Sequence, residues 1–269
     1  MRRRKVNKHM LYLIYERTKR LGIFFLLTAS LMAVEIQSPE DAVNIAGKQR
    51  MYTQRMLKDY AMVGMGNTFG NPGKDLQQIT DEFTDHLTSL KAYAKKEATK
   101  KSLDEVAALW KPLQKTLKET PAMSKAGTLQ EDLEMILKAS DTATKYFTEE
   151  TGNASGKIVN MAGRQRMLSQ RMASLYMLKV WGVKDPKFKT KLDDALKLFK
   201  TSLETLEKSP LNNDEITALL AKVKRSFIFF EMMNRSKSKF VPTLIYKKSN
   251  DILKNMNSVT QLYVKSETK

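Results

Sequence analysis

Cysteine is absent from this 269-residue sequence, and histidine occurs only twice. The lack of cysteine excludes disulfide cross-links, so the folded chain must be stabilised by packed apolar cores. His86 is the only histidine after the first 33 residues, which leaves no histidine cluster for a metal or a catalytic triad. No strand followed by a glycine-rich phosphate loop is present, and nothing brings carboxylates together in a cleft. We therefore expect no enzymatic activity, no cofactor and no metal.

Long apolar runs are also missing, apart from one short stretch near the N-terminus. Eight basic residues within the first 20 positions precede the 13-residue apolar segment 21–33, which has small residues near its end. This order is typical of an export signal, whereas a membrane-spanning helix needs about 20 apolar residues. We predict a signal peptide at 1–33, with an uncleaved membrane anchor as the alternative, and a periplasmic location for the remainder.

Acidic residues are outnumbered by basic ones, 29 to 47, and the formal net charge is +18. A positive field of this kind attracts small anions and acidic components of the cell envelope. The lysines are scattered along the predicted helices and form no clustered arm, and export also argues against nucleic acid. We expect no nucleic-acid partner.

Glycine and proline are sparse, and they fall between long segments in which apolar residues recur at intervals of three and four. No segment has the alternating pattern of a strand. The predicted helices span about 39–63, 74–96, 102–119 and 128–151, then about 157–182, 186–207, 213–235 and 241–266. The sequence therefore predicts an all-α fold of two tandem antiparallel four-helix bundles, at 36–152 and 157–269, after the signal peptide.

A stretch of 14 residues occurs twice. Residues 43–56 read VNIAGKQRMYTQRM and residues 159–172 read VNMAGRQRMLSQRM, with 10 identities at an offset of 116. Weaker matches in the same order follow both copies, so the chain is a duplication. The linker 152–156 favours two parallel bundles side by side. The alternative is a helix that runs straight across it and places the bundles end to end.

The repeated helix carries an arginine on the flank between its apolar and its solvated face. At about 100° per residue the flank stripe contains the same residue types in each copy: Gly47, Arg50 and Gln54, then Gly163, Arg166 and Gln170. Glycine inside a helix costs about 1 kcal/mol relative to alanine, so its recurrence predicts the close approach of another backbone.

Neither flank arginine has an acidic residue three or four positions away. A partly desolvated arginine needs an anionic partner, and the missing one indicates a ligand from outside the bundle. The alternative is an arginine whose head stays in water.

The same projection places Lys58 and Asp59 towards water. It also predicts that Gln49 and Gln165 are buried, that Arg55 and Arg171 are solvated or ion-paired, that the methionines pack, and that His86 is solvated or on a flank.

The two stretches resemble the signature helix of the N-terminal sensor domain of type IV pili methyl-accepting chemotaxis transducers and nitrate/nitrite sensor kinases (PilJ/NarX-type). The shared pattern is Asn-x-Ala-Gly-x-Gln-Arg-Met-x-x-Gln-Arg, at 44–55 and 160–171, and the second copy is the closer match. The resemblance implies a periplasmic four-helix bundle that binds nitrate at a dimer interface between symmetry-related arginines, here Arg50 and Arg166. Such proteins normally continue through a membrane helix into a signalling module. None follows here, so we expect the signal to pass to a separate membrane receptor or kinase.

Two functional hypotheses follow. In the first, the protein is an exported sensor that recognises a small oxyanion such as nitrate or nitrite between paired helices, within one chain as a pseudo-dimer or in a homodimer. Its predicted ligand-binding residues are Arg50, Arg166, Gly47, Gly163, Gln54 and Gln170. In the second, the protein is a structural or interaction module of the cell envelope with no small ligand.

Overall fold

The computed structural model describes residues 34–235 and 241–266. These residues form eight α-helices and short connecting segments, and they contain no strand. In chain order the helices are α1 Pro39–Gly64, α2 Pro72–Tyr93, α3 Glu97–Lys118, α4 Met123–Thr151, α5 Ala154–Trp181, α6 Phe188–Glu207, α7 Asp214–Arg235 and α8 Pro242–Ser266. None of these eight combines the length and the apolar character that a bilayer span requires. The signal peptide or anchor predicted at 1–33 lies outside the described residues. The predicted all-α helical-bundle fold is confirmed.

The two copies of the repeated helix begin at capped N-termini. The hydroxyl of Ser38 accepts a hydrogen bond from the backbone N–H of Asp41 at 3.0 Å, and Asn153 caps α5 in the same way. Gly152 ends α4 with a φ of 66°, a left-handed conformation that glycine adopts without strain. The connection between α4 and α5 is therefore only Gly152 and Asn153, shorter than the predicted five-residue linker.

Two predicted helix starts were wrong by about five residues. α3 begins at Glu97 rather than at Ser102, whose hydroxyl bonds the carbonyl of Thr99 inside the helix at 2.8 Å. α4 begins at Met123 rather than near 128. Thr99 and Ala126, which lie in these added turns, are buried. Tertiary packing thus extends both helices beyond the local start signals.

Each set of four consecutive helices surrounds an apolar core with equivalent aromatic contacts. Phe83 packs on Trp110 in the first set with ring centroids 4.2 Å apart, and Phe199 packs on Phe227 in the second at 4.4 Å. In the first set the repeated helix α1 contacts α2 and α4, and in the second set the repeated helix α5 contacts α6 and α8. The described residues pack as one unit, and the division into bundles at 36–152 and 157–269 stays a prediction.

α1 and α5 form the most extensive helix–helix contact in the described chain. Near their starts, the side-chain amide of Asn153 donates to the carboxylate of Glu40 at 2.8 Å. Further along, a Cβ added to Gly47 would lie 3.9 Å from the Cα of Gly163, and near the ends Gly64 lies directly against Trp181. Contacts at the starts, middles and ends run in the same order, so the helices are parallel and in register. The predicted side-by-side arrangement is confirmed.

The packing around α1 also corrects three predictions about exposure. Lys58 and Asp59 were expected to face water, but both side chains are fully buried because α5 and α8 cover that side of α1. His86, expected to be solvated or on a flank, is buried against the ring of Tyr52. For Lys58 and Asp59 the reason is that a helical projection of one bundle cannot include the faces that a second bundle covers.

Candidate ligand-binding site

The two flank arginines meet at the centre of the contact between α1 and α5. Arg50 and Arg166 are both fully buried. A Cβ added to Gly47 would lie 3.3 Å from the Nη2 atom of each arginine, and one added to Gly163 would lie 3.1 and 3.5 Å from the Nη2 atoms of Arg166 and Arg50. Both guanidinium groups therefore lie over the two glycines. The predicted close approach of a backbone at these glycines is confirmed.

Each arginine binds an asparagine of the opposite repeat. Nη2 of Arg50 donates to Oδ1 of Asn160 at 2.8 Å and to its backbone carbonyl at 3.3 Å. Arg166 donates to Oδ1 of Asn44 through Nη1 at 2.9 Å and to its carbonyl through Nη2 at 3.1 Å. These reciprocal bonds relate the two repeats by a pseudo-twofold axis along α1 and α5. The two asparagines were not among the predicted ligand-binding residues, although both recur in the repeat.

The symmetry breaks at the Nη1 atom of each guanidinium. Nη1 of Arg50 donates to Asp141 on α4 at 2.5 Å, whereas Nη1 of Arg166 donates to Asn257 on α8 at 3.3 Å. Positions 141 and 257 are equivalent at the offset of 116. The expectation that neither arginine has an acidic partner in its own bundle was wrong for Arg50, because Asp141 lies 91 residues away in sequence. Among the described residues, no carboxylate forms a salt bridge with Arg166.

Burial and mutual repulsion act on these charges. Burial, together with the charge of Arg50, lowers the pKa of Arg166 to about 9. Burial also lowers the pKa of Arg50, although Asp141 opposes this shift. Burial favours the neutral form of Asp141, but the charge and hydrogen bond of Arg50, together with Lys145 and Arg164, outweigh it, so the pKa of this carboxyl is lowered. Asp141 is thus ionised at neutral pH, and Arg166 is the guanidinium without a counter-charge.

Both arginines also keep one buried donor unused. Within the described part of the chain, the Nε–H groups of Arg50 and Arg166 have no hydrogen-bond partner. An unsatisfied buried donor costs about 1–3 kcal/mol. An acceptor that reached either Nε–H group would remove this cost, and an anionic acceptor would also compensate the charge of Arg166.

The two predicted glutamines lie one helical turn beyond the arginines. Oε1 of Gln54 accepts from Ser174 at 3.2 Å, and Oε1 of Gln170 accepts from the Lys58 amine at 2.7 Å. In the region that the structure describes, neither glutamine bonds a guanidinium. The structure thus brings Arg50, Arg166, Gly47 and Gly163 together, and it places Gln54 and Gln170 in an adjacent layer.

This adjacent layer is also polar and buried. The amine of Lys58 donates to Gln170 and to Asn250, both at 2.7 Å, and it lies 4.2 Å from the centre of the Tyr246 ring. Burial lowers the pKa of Lys58 to about 8. The neighbouring carboxyl of Asp59 has a pKa well above its usual value, chiefly because of burial. These bonds cross from the first repeat to the second and add to the contact between α1 and α5.

Other polar residues of the repeat follow the predictions. Gln49 and Gln165 donate to the carbonyls of Phe83 and Phe199 at 3.1 and 2.9 Å, each inside its own set of four helices. Arg55 pairs with Asp75 and Arg171 with Glu134. The methionines are buried and pack in the cores: Met51, Met56, Met167 and Met172.

Comparison with known proteins gives one family. The model of the PilJ family, described as type IV pili methyl-accepting chemotaxis transducer N-terminal, matches residues 36–135 and 148–227. Each of the two matched segments contains one copy of the repeated helix, which confirms the resemblance seen in the sequence. No curated protein and no solved structure matches the chain.

Proposed function

The chain belongs to the type IV pili methyl-accepting chemotaxis transducer N-terminal family, and from this premise we propose that it is an exported sensor that binds a small oxyanion between α1 and α5. Nitrate and nitrite are the proposed ligands, and a separate membrane receptor or kinase is the proposed recipient of the signal. The family comprises sensor domains of chemotaxis transducers and is not an enzyme family.

The observation that carries this proposal is the environment of Arg166. Its guanidinium is fully buried, lies beside a second guanidinium and contacts only neutral acceptors. A buried charge is costly unless it is paired. A small anion would supply the missing charge and would reduce the repulsion between Arg166 and Arg50.

The ligand is proposed to replace the asparagine side chains as the acceptor. Oδ1 of Asn44 and Oδ1 of Asn160 now accept from the two guanidiniums at 2.9 and 2.8 Å. An anionic oxygen forms a stronger bond to guanidinium than an amide oxygen does, and planar oxyanions match the donor fork of arginine. Gly47 and Gly163 leave room for the two guanidiniums to lie side by side, because neither has a side chain.

The proposed signal is a change in the packing of α1 against α5. The arginine–asparagine bonds are part of this contact, so an anion that replaces them also changes how the two helices hold together. Ligand favours whichever arrangement binds it more tightly. Because both arginines already meet inside one chain, the proposal requires no homodimer.

Thermal unfolding in the presence of oxyanions tests the proposal. We expect sodium nitrate or nitrite to raise the Tm of the purified protein relative to sodium chloride at equal ionic strength. At a ligand concentration 100 times the Kd the stabilisation is about 2.7 kcal/mol, or about 5–10 °C for a chain of this size. Arg166→Ala should abolish the shift. Arg171→Ala, which removes a partly exposed arginine paired with Glu134, should preserve it.

A structural role is the second candidate, and the arginine–asparagine bonds together with the Arg50–Asp141 pair favour it. These contacts join α1 to α4 and α5 without any ligand. A structural role predicts that Arg166→Ala lowers the Tm but that no tested oxyanion raises the Tm of the unaltered protein. That result would reject the sensor proposal.

The proposed periplasmic location is tested separately. We expect the protein in a periplasmic fraction to begin near residue 34 if the signal is cleaved. Mass spectrometry of the intact protein decides between a cleaved signal and an anchor. Recovery of the full-length chain only from the cytoplasm would contradict export.

A further inference from the structure

The two halves of the candidate site differ in charge at one pair of equivalent positions. Asp141 contacts Arg50 at 2.5 Å, and its counterpart Asn257 contacts Arg166 at 3.3 Å. Aspartate and asparagine have nearly the same shape, so the difference between the halves is chiefly one of charge. Two buried guanidiniums therefore share one carboxylate, whose side chain is 23% exposed.

We propose that Asp141 is an internal counter-anion that neutralises the charge of Arg50 and thereby restricts the site to singly charged oxyanions. This inference rests on the proposed function and adds a determinant of specificity to it. Asp141 does not contact the ligand in this proposal. It acts by fixing how much negative charge the arginine pair still requires.

Charge balance gives the physical reason. With Asp141 ionised, the two guanidiniums and the carboxylate carry one net positive charge, which a single monovalent anion neutralises. A divalent anion such as sulfate would leave an excess negative charge in a buried place and would face Asp141 as a like charge. Uncompensated buried charge is strongly unfavourable, and like charges at an interface select against the wrong partner.

Other charged groups near Asp141 do not change this balance to the same degree. Lys145 and Arg164 also contact Asp141, at 3.0 and 3.5 Å. Their side chains are 59% and 33% exposed, so water screens them far more than it screens the two buried guanidiniums. The carboxylate of Asp41 on α1 accepts a hydrogen bond from the amide of Asn44 at 3.5 Å.

Two reciprocal substitutions test the proposal, since one adds and the other removes a single negative charge without changing side-chain size. Asn257→Asp gives Arg166 its own carboxylate, so nitrate binding should weaken by roughly tenfold or more. Asp141→Asn leaves both guanidiniums uncompensated, so sulfate should now bind and nitrate should still bind. Titration calorimetry with sodium nitrate and sodium sulfate at constant ionic strength measures both effects on the full protein.

The outcomes separate this inference from the proposed function. If the unaltered protein binds nitrate and both variants show the same affinity and the same preference for nitrate over sulfate, the role of Asp141 is overturned and the sensor proposal survives. If only Asp141→Asn binds an anion, the role of Asp141 is supported and the proposed ligand function of the natural protein fails. If neither the natural protein nor Asp141→Asn binds any anion, both are overturned. Should Asp141→Asn not fold, as judged by circular dichroism, the response of Asn257→Asp decides.

Discussion

Replacing Gly163 by alanine tests the packing of the arginine pair most directly. In most helices this change stabilises the protein by about 1 kcal/mol, because alanine is the better helix former. At position 163 the new Cβ would lie 3.1 Å from Nη2 of Arg166 and 3.5 Å from Nη2 of Arg50. The first distance is shorter than an ordinary van der Waals contact, so the guanidinium of Arg166 must move.

The cost of that movement follows from the bonds that hold the guanidinium. Arg166 makes three hydrogen bonds, two to Asn44 and one to Asn257, at 2.9 to 3.3 Å. Losing one hydrogen bond of a charged group costs about 1.5–3 kcal/mol. This loss exceeds the helix-propensity gain, so we expect Gly163→Ala to lower the free energy of unfolding by about 1 kcal/mol.

Gly127→Ala is the matched control, because Gly127 also lies inside a helix and a Cβ there would meet nothing within 4 Å. The control should raise stability by about 1 kcal/mol, so the two variants should differ by about 2 kcal/mol, or roughly 4–8 °C in Tm. Urea denaturation and calorimetry measure both quantities.

A double-mutant cycle assigns the cost to the guanidinium. When Arg166 is replaced by alanine, the nearest remaining atom to the new Cβ is Nη2 of Arg50 at 3.5 Å, which is an ordinary contact. Gly163→Ala should then stabilise the Arg166→Ala protein as Gly127→Ala stabilises the natural one, with a coupling energy of about 2 kcal/mol. The reasoning is refuted if Gly163→Ala in the natural protein is as stabilising as Gly127→Ala.

Two pH dependences are expected from the other buried titratable groups. Burial lowers the pKa of His86 from 6.5 to about 4, so the folded state binds fewer protons than the unfolded state between these values. Stability relative to a His86→Phe variant should therefore fall as pH drops from 6.5 to 4, by up to about 3 kcal/mol. Burial lowers the pKa of Lys58 from 10.5 to about 8, so stability relative to Lys58→Met should rise between pH 8 and 10.5 by a similar amount, about 3 kcal/mol. Urea titrations of each pair across its pH range measure the differences, and a constant difference would contradict the assignment.

The fold was largely predictable from the sequence because its signals are local or repeated. Glycine and proline are sparse, and apolar residues recur at intervals of three and four, which together predicted eight helices. The caps at Ser38 and Gly152 lie where the local chemistry places them. The close packing at Gly47 and Gly163 followed from the cost of glycine in a helix. The repeat made that inference firmer, because the same unfavourable residue recurs at the same place.

The features that the sequence did not reveal arise from contacts between distant residues. Asp141 reaches Arg50 from 91 positions away, and no periodicity within one helix indicates this pair. The helical projection places Lys58 and Asp59 on the solvated face of α1, yet the second set of helices buries them. Comparing the repeats position by position provides one usable signal, because the exchange of Asp141 for Asn257 is visible at the offset of 116.

The two-residue connection of Gly152 and Asn153 joins the two arginine-bearing helices into a single gene product. Identical subunits of a homodimer must carry the same residue on both sides of their axis, because one gene encodes both. A fused pair is free of this restriction, and mutations can alter one side while the other is retained. The fusion also makes the pairing of the arginines independent of protein concentration. In the proposed sensor, ligand occupancy would therefore follow the anion concentration alone, whether the cell makes few copies or many.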